Sequence, residues 1–326
     1  MPLKSDSDCA WEVVSSAMTL EYRQLGKTTF RVSSIGLGCV TFGREIDAAT
    51  SFRVLDRAIE RGVNLLDTAA VYGNGASEEV IGSWLRSRRV HGRVVVATKV
   101  SGRLDRESIF RSVEGSLQRL GVEAIDLLQA HDWDPGTPLD ETLEAFDGLV
   151  RQGKSRYLGC SNWQAGQLQQ SMLLAQDRGW HRLESVQPMY NLFDRTIEGQ
   201  LLSLCAQNDM GVITYSPLGA GFLTGKYSRD ACVPQGTRFD VKPGHQRIYF
   251  TDHGFRIVEG LREIASRSQQ SMVQLALSWV LSRPGITSVL VGARRPDHVD
   301  QAFQAMETRL ESWMIDQLDR LSAITL

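Results

Sequence analysis

The sequence predicts a (β/α)8 barrel, and three observations carry that prediction. Eight short apolar runs recur along the chain, each followed by a stretch with helical period. The runs are mostly continuous in apolar residues, as strands buried on both faces are. Strict alternation of β and α units implies a parallel sheet, and eight units favour closure over an open doubly wound sheet. The open alternative would want G-x-G-x-x-G at its first strand-to-helix turn. The first strand here ends in GLGCVTFG, which has the wrong spacing.

The elements follow in order. Residues 1–18 show no sustained period and are predicted to form a loose tail, leaving residues 19–326 as one barrel domain. TLEYRQL and FRVSSIGLG are extended runs meeting near Gly26-Lys27, a β-hairpin pattern. The predicted barrel strands are SSIGLGC, VNLLDTA, VVVATKV, IDLLQAH, SRYLGCS, ESVQPMY, GVITYSP and ITSVLVGA. In the first helix Phe52, Leu55, Ile59 and Val63 form one stripe, with Gly62 as a stop signal. Met272, Val273, Ala276, Leu277 and Val280 do the same before Pro284 and Gly285. The connection after the seventh strand is long, roughly Ser228 to Phe255, and connections of that length are lids or binding loops. ESWMIDQLDRLSAI reads as a last amphipathic helix, either on the barrel exterior or across its base.

Composition narrows the function classes. Net charge is −2, which gives no basic surplus for nucleic acid and no acidic partner segment. No apolar run reaches the roughly 18 residues of a transmembrane helix, and acidic residues occupy the place of a signal peptide's apolar core. Five scattered cysteines (Cys9, Cys39, Cys160, Cys205, Cys232) read as reduced thiols, so the expected compartment is the cytoplasm. Cys and His residues are not clustered, and HDWD at His131–Asp134 points its residues in divergent directions, so no metal is expected.

In this fold, polar side chains at the C-terminal ends of the strands converge on one mouth. The strand ends and following loops offer Asp67, Tyr72, Lys99, His131, Ser161, Asn162, Gln187, Tyr190, Tyr215, Ser216, Gly292 and Arg294. Each has a plain structural alternative. Asp67 can cap a helix, Lys99 can snorkel to solvent, Tyr72 can be an exposed loop aromatic, and His131 can be a packing residue. Together the first four make an acid–base device. A free phenol titrates near 10, too high for an efficient acid, and a neighbouring lysine lowers that value. A carboxylate keeps the lysine charged and placed, and a histidine can orient a carbonyl oxygen. Such a set protonates an oxygen while hydride reaches its carbon, so it requires a hydride cofactor.

The motifs LLDTAAVYGNGASEEVIG, ATK, LLQAH, GCSNW, VQPMYN, TYSPLGAGFLTGKY and VGARRPDHVDQA stand in one order over residues 20–326, and the chain thereby resembles the aldo-keto reductases. The resemblance implies that Tyr72 is the general acid, that Lys99 and Asp67 tune it, and that His131 orients the carbonyl. It implies that Ser161, Asn162 and Gln187 bond the nicotinamide carboxamide and that Tyr215 stacks on its ring. Ser216, Pro217, Leu218 and Gly219 would line the pyrophosphate path, with Lys226, Arg238 and Gly292 also on the cofactor. At the adenine end the family pattern is a Gln or Arg followed by Glu-Asn. Here His298, Gln301 and Ala302 stand in those places, with Arg294 as the guanidinium for a 2′-phosphate. The implied cofactor is therefore NADPH rather than NADH.

Phe42, Trp133, Trp163 and Tyr190 are expected to contact a small-molecule carbonyl substrate, with packing an equal reading for the two tryptophans. The chain is also similar to the beta subunits of voltage-gated potassium channels, which implies a second reading as a cofactor-binding regulatory subunit. A hydrolase would need paired carboxylates at the mouth, and Asp67 has no partner except Lys99. Oligomeric state is not legible in the sequence.

Overall fold

The computed structural model describes residues 20–323. The expected tail, with Cys9, lies outside them. A two-stranded antiparallel sheet, β1 (Tyr22–Gln24) and β2 (Arg31–Ser33), precedes the barrel. The barrel strands are β3 (Ile35–Gly38), β4 (Leu65–Asp67), β5 (Val95–Val100), β6 (Ile125–Ala130), β7 (Ser155–Ser161), β8 (Leu183–Gln187), β9 (Gly211–Thr214) and β10 (Ser288–Gly292). They pair in parallel and in sequence order, and β10 closes the ring onto β3. This is the (β/α)8 barrel with an N-terminal hairpin that the sequence predicts.

The chain buries its apolar residues in two places. Inside the ring, Leu65, Val95, Ala97, Leu127, Ile213 and Leu290 fill the barrel, and Leu25 and Val32 of the hairpin plug its N-terminal end. A larger layer lies between strands and helices. Helix Ala48–Glu60 starts at Asp47, whose carboxylate accepts from Thr50 N–H at 2.8 Å. Met272–Leu281 starts with a capping box between Ser271 and Gln274.

The hairpin turn is fixed by a close approach. Gly26 has φ +56°, and a Cβ there would sit 2.2 Å from the Glu184 backbone oxygen. Glu184 in turn accepts from Lys27 N–H at 2.9 Å. Gly26→Ala therefore combines left-handed strain with a backbone clash and is expected to cost about 2 kcal/mol or more in chemical denaturation. An unchanged denaturation midpoint would show that the plug contributes no stability.

The connection after β9 is not structureless. It carries short helical turns at Gly219–Thr224, Arg238–Val241, Pro243–His245 and Gln246–Tyr249 before helix Asp252–Ser268 begins. Phe222, Tyr227, Phe239, Tyr249, Phe250 and Phe255 pack ring against ring beneath it. This aromatic cluster holds a segment that the Pro- and Gly-rich composition presents as open loop. The last helix, Ser312–Leu321, packs on the exterior against Asp252–Ser268, which decides between the two expected positions. Trp279 Nε1 donates to its Asp319 at 2.8 Å. Cys39, Cys160 and Cys205 are buried free thiols, and Cys232 is exposed.

Candidate active site

Asp67 ends β4, Lys99 lies on β5 and His131 follows β6, so neighbouring strands deliver three polar groups to the C-terminal mouth. Tyr72 comes from the turn after β4. Lys99 is 1 % exposed, and its Nζ donates to Asp67 Oδ1 at 2.5 Å, to the Thr68 carbonyl at 2.8 Å and to the Tyr72 hydroxyl at 3.4 Å. These three partners use all three ammonium protons. The Tyr72 and His131 rings meet edge to face, with centroids 5.7 Å apart. The structure thus brings the four expected catalytic side chains together.

The electrostatics differ from the expectation at one point. Burial pulls Lys99 down, but Asp67 and Tyr72 more than offset it, and the ammonium is held above the ordinary lysine value. Burial also governs Tyr72. It outweighs the lowering by Lys99, which Asp67 further counters, so the phenol lies above its ordinary value, not below it. A lysine paired at 2.5 Å with a carboxylate is, seen from the phenol, a largely neutralised charge. His131 is pushed down by burial first and Lys99 second, and is therefore neutral at neutral pH. Its Nδ1 lies 2.7 Å from Ser101 Oγ. If the hydroxyl donates, Nε2 carries the ring proton and can donate to a carbonyl.

Sequence reasoning missed several supporting groups. Gln129, fully buried, donates to Asp67 Oδ2 at 3.3 Å, and Gln187 donates to the same oxygen at 2.7 Å. Gln129 stands two residues before His131 and so shares its strand face. Period-two alternation was the signal that could have found it. Ser101 and Asp132, which hold His131 and Asn162, follow strand ends and gave no separate signal.

The expected carboxamide ligands are present but already bonded. Ser161 donates to the Gln187 carbonyl at 2.8 Å. Gln187 Nε2 is occupied by Asp67 and by Gln129 Oε1 at 3.3 Å. Asn162, at φ +60°, spends its amide on the His131 carbonyl at 3.0 Å and Asp132 at 2.9 Å, and accepts from the Tyr215 hydroxyl at 2.8 Å. What these side chains still offer is acceptor capacity, which suits an NH2 group. The Tyr215 hydroxyl bond to Asn162 fixes its ring at the end of β9.

Of the expected pyrophosphate segment, Pro217 has no N–H, and Gly219 N–H is spent on the Ser216 carbonyl at 2.9 Å. Ser216 and Gly219 both have positive φ, at 54° and 55°. Farther out, cations converge. Partial desolvation and Arg294 hold Lys226 below its ordinary value, while burial, Arg44 and Arg294 do the same to Arg238. Arg294 donates to the Gly236 carbonyl at 2.8 Å, and its own N–H bonds His298 Nδ1 at 3.3 Å. Arg238 pairs with Glu45 at 3.3 Å. Gly292 is exposed at the end of β10. Gln301 is exposed on helix Pro296–Glu307, and Ala302 is turned into the core.

Two expected substrate contacts do not reach the mouth. Phe42 and Tyr190 have no exposed surface. Phe42 belongs to the larger buried cluster, and Tyr190 packs on Trp279 with its hydroxyl on Glu198. Trp133 is partly exposed and meets the buried Trp163 edge to face at 4.8 Å, and Trp163 Nε1 has no hydrogen-bond partner among the described residues. Among the described residues no helix is long and apolar enough to cross a membrane.

Comparison with known proteins bears on this site. The Aldo/keto reductase family model matches residues 34–323. A probable voltage-gated potassium channel subunit beta of Oryza sativa subsp. japonica is 34% identical over 309 residues, covering 88% of this chain and 92% of that protein. One of the same description from Arabidopsis thaliana is 33% identical, with the same coverage. The uncharacterized oxidoreductase YrpG of Bacillus subtilis is 32% identical over 319 residues, covering 92% of this chain and 95% of that protein. The chain belongs to the aldo/keto reductase family and is an NAD(P)H-dependent oxidoreductase.

Proposed function

We propose that this protein is a cytoplasmic reductase of small aldehydes or ketones that uses NADPH, with Tyr72 as general acid. The observation that carries the reading is the Lys99 ammonium, buried and shared between Asp67, the Thr68 carbonyl and the Tyr72 hydroxyl. When bound, NADPH supplies the hydride that reduces the carbonyl carbon. Tyr72 gives its phenolic proton to the carbonyl oxygen, and Lys99 stabilises the phenolate that remains. Neutral His131 holds the oxygen in place. Asp67 keeps Lys99 charged at a depth where a lone ammonium would be costly.

The residues present fit a phosphate-bearing dinucleotide. Arg294 lies close enough to Lys226 and Arg238 to lower both, and an anion between the three cations would relieve the arrangement. Arg294 would read the 2′-phosphate, with Ser161, Asn162, Gln187 and Tyr215 at the nicotinamide end. The test is a fluorescence titration with NADPH and, separately, NADH. NADPH is expected to bind more tightly. Arg294→Ala should weaken NADPH more than NADH. Equal losses would remove Arg294 from that role, and binding of neither cofactor would sink the reductase reading.

The names of two relatives favour a second reading, a cofactor-binding regulatory subunit. The two separate on turnover. Slow reduction spread over many aldehydes would favour the regulatory role, and fast reduction of a narrow set the enzymatic one.

A further inference from the structure

Tyr72 enters the mouth on a demanding piece of backbone. The three residues after it, Gly73, Asn74 and Gly75, have φ of 59°, 54° and 97°. Successive left-handed residues are poorly populated, and one of these three is not glycine. Helix Ala76–Arg88 begins at once, and its N-cap, Gly75, offers no capping side chain. Within the turn only backbone bonds support this form, from Asn74 N–H to the Val71 carbonyl at 3.3 Å and from Ala76 N–H to the Gly73 and Tyr72 carbonyls.

The side chains that hold it lie behind the barrel wall. Ser77 donates to the Cys39 carbonyl at 2.8 Å and accepts from Thr68 at 2.8 Å. Glu78 has no exposed surface. Its Oε1 accepts from the Thr98 hydroxyl at 2.5 Å and its Oε2 from Arg119 Nε at 2.7 Å. Thr98 adjoins Lys99 on β5, and alternation along the strand sends one side chain to the helix layer and the other into the barrel. The Arg119 side chain passes directly over the turn, with its Cδ 2.6 Å from where a Gly75 Cβ would stand. One carboxylate therefore ties the helix that follows Tyr72 to the strand that carries Lys99, under a guanidinium lid.

We propose that Glu78, through Thr98 and Arg119, is the positioning residue that keeps the Tyr72 hydroxyl in reach of Lys99. The inference rests on Tyr72 acting as the acid. Glu78 does not face the mouth and touches no reacting atom. A buried ion pair is weak evidence for stability, and its better-attested use is to fix one geometry among several. The Lys99–Tyr72 contact, at 3.4 Å, is already long, so a small relaxation of the turn would break it.

The test compares Thr98→Val, which removes one bond to Glu78 and keeps the shape, with Glu78→Gln, which removes the charge. Both are assayed with NADPH and 4-nitrobenzaldehyde, and amide hydrogen exchange is followed over residues 71–77. A misplaced acid of this kind lowers kcat by roughly 10- to 100-fold. Cofactor affinity should stay as in the wild type, exchange over the turn should accelerate, and the alkaline limb of the pH profile should move up as the phenol loses Lys99. A purely structural role would lower the melting temperature and leave that limb in place. Should Glu78→Gln fail to fold, Thr98→Val carries the test alone. Wild-type kcat, pH profile and exchange in Thr98→Val would overturn the proposal. If the wild-type protein does not reduce the aldehyde, the reductase reading fails by itself, and the exchange rates still decide whether the clamp exists.

Discussion

Tyr72→Phe is expected to abolish carbonyl reduction while leaving NADPH binding nearly unchanged. General acid catalysis contributes about a hundred- to ten-thousand-fold, and the substitution removes the only proton the site holds ready at the phenol position. The change is otherwise small. Phenylalanine keeps the ring that meets His131 edge to face, and among the described residues the lost hydroxyl has a single bond, the 3.4 Å contact to Lys99. Single-turnover rates with saturating cofactor, set beside a binding titration, separate the two effects. Turnover close to wild type would remove Tyr72 from the acid role, whatever became of binding.

The pH dependence of the wild-type reaction follows from the same electrostatics. Burial holds the phenol above its ordinary value of about 10, so the proton-bearing form persists throughout the neutral and mildly alkaline range. Burial and Lys99 hold His131 below its ordinary value of about 6.5, so the imidazole is neutral above that. The reduction rate should accordingly be flat between about pH 6.5 and 10. Lys99 then acts less by making the phenol acidic in the resting site than by meeting the negative charge as it develops. Stabilisation confined to the moment of proton transfer raises kcat without tightening ground-state binding.

The barrel was legible because its strands are buried on both faces, and double-sided burial writes continuous apolar runs that end at polar residues. SRYLGCS matches β7 residue for residue. Asp67, Lys99 and His131 were legible for a related reason, since a charged or titratable group closing such a run has few places to point but the mouth. Other features depend on direction and depth, which the string does not carry. Phe42 and Tyr190 follow strand ends like the true mouth residues, yet both are fully buried, and Tyr190 packs on Trp279 of a helix. The upward net shift of Tyr72 could not be foreseen, because it depends on how completely Asp67 neutralises Lys99 and how deeply the ring is buried. Glu78 sits inside a motif that was read for Tyr72, and only the fold shows its link to Thr98 and Arg119.

Lys99→Met is expected to damage stability and turnover together, and a second substitution should separate them. Asp67 is 3 % exposed, and its carboxylate would be left with only Gln187 and Gln129 as donors. Breaking a buried pair by removing one partner costs about 3–5 kcal/mol, because the other charge stays buried without compensation. Asp67→Asn in the same chain removes that charge while keeping the size of the side chain. The double variant should therefore recover most of the lost stability in denaturant titrations. It should not recover turnover, because the phenolate formed on Tyr72 still has no cation beside it. In the wild type the pair's contribution has a definite pH window. Lys99 lies above its ordinary value in the folded state, so the stabilisation is complete below the unfolded lysine's value and is lost as pH rises through the folded one. The pair is thus intact through the neutral and mildly alkaline range, where Tyr72 also keeps its proton. If the double variant were as unstable as Lys99→Met, the loss would come from packing around the missing ammonium and not from an orphaned charge. If it regained activity, the cation would have no part in proton transfer.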